Sequence, residues 1–173
     1  MANERKSTRP AVTARVPPHN IDAEASLIGA MLLAPGAIAS AIEQGLSTGD
    51  FYKPAHQHIY DAIRSLNGSS EPVDVVTVAD ELRRNNLLDD LGGIDALLEL
   101  QNTTPAISSA DRYARIIRDT ARLRRLISVA SDIAEIAYTE PDDVSKAIDE
   151  AESKVYAIGN ETARDSLVSL SPL

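Results

Sequence analysis

The stretch Ser109–Thr139, SADRYARIIRDTARLRRLISVASDIAEIAYT, contains neither proline nor glycine. A breaker-free run of that length predicts one helix far longer than the ordinary ~11–12 residues. Pro141 stops it. Asp142-Asp143 then open a second helix, with acids where the N-terminal end of the helix dipole favours them. Val144, Ala147, Ile148, Ala151, Val155 and Ile158 form the apolar stripe of this second helix, and Gly159 marks its expected end. Two long helices joined by a few residues predict an antiparallel hairpin over residues 109–159.

The long helix carries two apolar seams. Tyr113, Ile116, Thr120, Leu123, Ile127, Ala130, Ala134 and Ala137 follow alternating steps of three and four, a heptad pattern suited to packing on Val144, Ile148 and Val155 of the second helix. Leu126, Val129, Ile133 and Ile136 form another seam in the later half. The hairpin partner can cover only one of them. Leaving the other in water costs about 1.5–3 kcal/mol for each large apolar side chain. Its cover is either a second copy, pairing two hairpins into a four-helix arrangement, or the chain's own head. Leu126, Val129, Ile133 and Ile136 are therefore the candidate oligomer contacts. An Ile133→Asp change separates the two readings: a lower solution mass with the fold kept favours self-association, and unfolding favours packing on the head. The earlier half of the same helix carries Arg112, Arg115, Arg118, Arg122 and Arg125 on one broad face, with Arg124 nearby. This stripe is a candidate partner-binding face, or else a solvated face paired with local acids.

Working back toward the N-terminus, the periodicity stays helical. Asn20 or Asp22 can cap a helix whose apolar face runs Ala25, Leu27, Ile28, Met31 and Leu32. Pro35-Gly36 interrupts it, and a short helix with Ala37, Ile38, Ala41 and Ile42 ends at Gly45. Pro54 sits at a first helical turn. Ile59, Ile63 and Leu66 continue at helical spacing to Asn67-Gly68, which suits a C-terminal cap. Val73, Val75, Val76 and Val78 look like a strand by residue type. The following ADELRRNNLL, with Asp74 or Thr77 as cap, makes a helix the better reading. Gly92-Gly93 turns the chain before Ile94, Leu97, Leu98 and Leu100. The expected fold is all-α: a small multi-helix head over residues 17–108, then the long antiparallel hairpin. Residues 1–16 form a locally basic flexible tail, and residues 160–173 a linker or tail.

Composition narrows the function. The chain has 173 residues, 43% hydrophobic and 25% charged, with net charge -9. Such a surface repels phosphates overall, so gripping nucleic acid unaided is disfavoured. With no cysteine, disulfides, thiolate zinc sites and cysteine nucleophiles are excluded. No apolar run approaches the ~18 residues of a membrane span, and no secretion signal opens the chain, so a cytoplasmic protein that avoids membranes is expected. No G-x-x-x-x-G-K-[ST] occurs; Gly-Lys is absent altogether. His56 and His58 lie two apart on a helix and cannot chelate together, which leaves His56 a structural role. The residues point to an interaction module without catalytic, cofactor or metal residues.

Several phrases in order resemble the N-terminal domain of bacterial replicative DNA helicases of the DnaB type. Pro17-Pro18-His19-Asn20 with Asp22-Ala23-Glu24-Ala25 and Ile28-Gly29-Ala30-Met31-Leu32 is similar to its opening. Asp50-Phe51-Tyr52 with His56 and Ile59-Tyr60, Val73-Asp74-Val75-Val76-Thr77-Val78 with Glu81-Leu82, and Gly92-Gly93 with Leu97 and Leu100 resemble later segments. Tyr113-Ala114, Leu123-Arg124-Arg125-Leu126-Ile127 and Glu150-Ala151-Glu152 resemble its hairpin. The resemblance covers about residues 17–159. It implies a collar domain that pairs through its hairpin, sits over a hexameric ring, and docks primase and the helicase loader. It also implies a RecA-like ATPase domain, using ATP and magnesium to translocate on single-stranded DNA, beyond the residues of this chain. Two other classes stay open: a stand-alone helical adaptor that binds helicase or primase, and a weak DNA-binding domain using the Arg stripe and basic tail.

Overall fold

The computed structural model describes the backbone of residues 15–168 and the side chains of residues 15–160. Seven α-helices and two short 3-10 turns account for it, with no strand among the described residues. Helix α1 (Ile21–Leu33) starts at Asn20, whose side chain accepts from the Ala23 amide at 2.9 Å. Ala34 is extended, and Pro35 then opens α2 (Pro35–Glu43). Gly45, at φ 67, reverses the chain into a 3-10 turn over Thr48–Asp50. Helix α3 (Pro54–Gly68) follows. The valine-rich segment is helical as expected, because Asp74 wins it: its carboxylate accepts from the Val76 and Thr77 amides at 2.8 and 2.9 Å, and Thr77 Oγ1 accepts from the Asp74 amide at 3.0 Å. This reciprocal cap starts α4 (Val75–Arg84). Gly92 at φ 95 leads into α5 (Gly93–Asn102). The long helix is α6 (Ala110–Tyr138), and α7 (Val144–Val168) returns along it. Helix α7 runs through Gly159 instead of ending there. An interior glycine weakens a helix by only about 1 kcal/mol and does not stop it.

The head is built around α1, whose Leu27, Ile28 and Met31 are completely buried. Ile63 and Tyr60 from α3, Val78 and Leu82 from α4, and Leu97 from α5 close over it, with Phe51 wedged against the Tyr60 ring at 4.6 Å between centroids. Gly29 lets α1 and α5 cross closely, since a Cβ there would overlap the Leu100 carbonyl oxygen and Thr104 Oγ1. The last wall of the head is α6 itself: Ala110, Ala114, Ile117 and Ala121 are buried in the same core. After Ala121 no residue of α6 is fully buried. One helix therefore serves both head and hairpin, and the division expected at residue 108 falls ahead of it.

Candidate interaction surfaces

Members of both seams of α6 line one groove at the far end of the hairpin. Ile133, Ile136 and Ala137 line a groove of ≈ 420 Å³ with Val144, Ala147, Ile148 and Ala151 of α7. Val129, one heptad before Ile136, is half-buried on the same stripe. Lys154 of α7 reaches Asp132 at 3.7 Å across the pair. On α7 the half-buried positions are Ala147, Ala151, Lys154 and Ile158. Expected hairpin contacts lie elsewhere: Leu123 is 50% exposed and Ile127 41%, on the side of α6 turned away from that stripe. Tyr113 and Ile116 are half-buried against the head core instead. Val144 and Ile148 line the groove, and with Val155 they stand about half exposed or more.

The Arg stripe is largely spoken for. Arg115 pairs with Asp111 at 2.8 Å. Arg118 donates to Gln44 Oε1 at 2.6 Å and lies 3.4 Å from Asp119. Arg112 is exposed and Arg122 half-buried. Acids at neighbouring positions thus neutralise much of the stripe, which weakens its case as a phosphate-binding face.

A polar cluster that sequence reasoning missed lies where α6 leaves the head. Glu24 of α1 is 1% exposed and accepts from the Tyr52 amide at 2.6 Å, the Lys53 amide at 3.3 Å and His56 Nδ1 at 2.8 Å. His56 is thus structural, holding the start of α3 to α1. Asp50, also buried, accepts from the Ser47 amide at 2.7 Å and from Arg125 at 2.6 Å. Arg124 donates to the Pro18 carbonyl at 2.8 Å and to the Asp50 carbonyl, over the Tyr52 ring at 5.6 Å. His19 stacks on the Tyr52 ring, with ring centroids 4.3 Å apart. Nearby, Tyr60 donates to the Leu46 carbonyl at 3.0 Å, and burial pushes its phenol up to about 12 from the ordinary 10. The sequence signal was only the density of polar and aromatic residues at positions 50–56.

Among the described residues no group of His, Asp or Glu could hold a metal ion, and the glycines are turn and helix-crossing residues, not a phosphate cradle. The described residues do not fit ATP and magnesium. No helix among the described residues is long and apolar enough to cross a membrane. The fold and its exposed apolar hairpin residues define an all-α head-and-hairpin module. Residues 16–119 match the DnaB-like helicase N terminal domain family, and the chain belongs to it. It is 41% identical over 161 residues to the replicative DNA helicase DnaB of Mycobacterium leprae, covering 92% of this chain and 26% of that protein. It is 41% identical over 144 residues to the replicative DNA helicase DnaC of Bacillus subtilis, covering 83% and 32%. The chain therefore spans about a quarter to a third of these relatives' lengths. The crystal structure of the N-terminal domain of DnaB helicase from Mycobacterium tuberculosis is similar, with TM-score 0.77 and 42% identity, covering 82% of this chain and 99% of that one. A DnaB-like replicative helicase, described with its interactions with primase, is similar at TM-score 0.67 and 25% identity, covering 88% and 36%.

Proposed function

We propose that this chain forms the N-terminal collar of a hexameric replicative DNA helicase, pairing through its hairpin and docking primase and the helicase loader in the cytoplasm. ATP and magnesium, single-stranded DNA and the unwinding reaction belong to the remainder of such a helicase. The observation that carries the reading is the apolar shoulder of the hairpin. Leu126 of α6 and Val144, Ile148 and Val155 of α7 are each about half exposed or more, apolar surface that a second hairpin would cover. This surface overlaps the seam expected from sequence. Leu126 belongs to both, and Val129, Ile133 and Ile136 of that seam are half-buried. Primase as a partner is supported by the solved relative described with it.

The test is sedimentation of the chain and of an Ile148→Asp variant. Ile148 is more than half exposed, so the change leaves the fold intact. A self-associated wild type and a lighter, still helical variant are expected. A wild type that stays monomeric through the micromolar range, or a variant of unchanged mass, overturns the pairing.

A further inference from the structure

The point where α6 leaves the head is held by two consecutive arginines that grip different parts of it. Arg124 donates to two backbone carbonyls, Pro18 ahead of α1 and Asp50 at the end of the 3-10 turn. Arg125 takes the buried Asp50 carboxylate, which is itself held by Ser47. Tyr52 lies beneath the Arg124 guanidinium, and His19 stacks on Tyr52. These groups add nothing to the apolar core, which ends at Ala121. They lie at the base of a long projection: Arg122–Tyr138 is seventeen residues, about 25 Å of helix at ~1.5 Å per residue. A helix bends gently when nothing braces it, and a swing of about 10° at the base displaces the tip by about 4 Å.

We propose that Arg124 and Arg125 act as a clamp that sets the angle between head and hairpin, positioning the hairpin's apolar shoulder without forming part of it. The guanidinium fork is what the task needs, since one planar group must reach two carbonyls at once. A lysine ammonium, a point donor on a flexible stem, holds the charge but not the geometry.

The chain has no cysteine, so spin labels at Ser69→Cys on the head and Tyr138→Cys at the hairpin tip, both exposed positions, report this angle alone. Labelled chain diluted in unlabelled chain removes distances between copies. A narrow distance distribution is expected for the parent. In Arg124→Ala it broadens or shifts by about 3–5 Å, the displacement worked above. Helical content and the melting of the head are kept, because the core contacts are untouched. An unchanged distribution overturns the proposal, leaving the stiffness of α6 as the sole determinant. So does a lowered melting temperature with the distribution unchanged, which is the mark of a merely structural contact. Should Arg124→Ala fail to fold, Arg124→Lys carries the same test: a broadened distribution supports the fork, and a parental one refutes it. The experiment reads angle, not mass, so it stands whether or not the hairpins pair.

Discussion

Replacing Glu24 with alanine removes the carboxylate on which three donors converge. The Tyr52 amide at 2.6 Å and His56 Nδ1 at 2.8 Å lose their acceptor in a buried setting, and the Lys53 amide loses a longer contact of 3.3 Å. Lys53 is exposed, so its amide can turn to water and is left out of the sum. A buried donor without a partner costs about 1–3 kcal/mol, so two of them cost about 2–6 kcal/mol. For a chain of this length each kcal/mol moves the melting temperature by about 2–4 °C, so a fall of about 8–16 °C follows from the middle of that range. Glu24→Gln keeps the shape and one acceptor oxygen, and should lose about half as much. Thermal melts followed by far-UV circular dichroism read both. A loss below about 1 kcal/mol in Glu24→Ala would refute the reasoning, because it would mean that water reaches His56 and the Tyr52 amide freely.

Two further outcomes follow. Gly29→Ala meets the Thr104 hydroxyl and, behind it, the Leu100 backbone carbonyl, which cannot turn aside, so a loss of about 1–3 kcal/mol in urea unfolding is expected, with Gly36→Ala, which meets open space, as a near-neutral control. Tyr60 stays neutral in the fold until about pH 12, whereas in the unfolded chain it ionises near its ordinary 10. Its contribution is thus fully present below pH 10 and is lost as the pH rises toward 12; unfolding curves against pH should show that decline, and Tyr60→Phe should flatten it.

The helices were legible because their signals are local. Asn20 and Asp74 cap where their side chains can reach the next amides, and the absence of breakers after Ser109 left α6 no alternative. The valine cluster at 73–78 shows the rule: a cap two residues away outweighs β-propensity. The seams of α6 were less legible. Spacing shows that two stripes exist, but both have the same period, and which neighbour covers each depends on how closely α7 can approach. The cluster of Glu24, His56, Asp50, Arg124 and Arg125 was illegible for a different reason. Its partners lie far apart along the chain, and a buried carboxylate looks like a solvated one until its donors are brought to it.

Because one helix is shared between head and hairpin, α6 carries a gradient of local stability along its length. Amides near Ala114 and Ile117 lie against a core that opens only when the whole head opens, whereas those beyond Val129 are sheltered by α7 alone. Hydrogen exchange should therefore quicken turn by turn toward Tyr138, although the helix is unbroken. The consequence is that the hairpin can fray and re-form from its tip while the head remains intact, giving this chain a removable half on a permanent one.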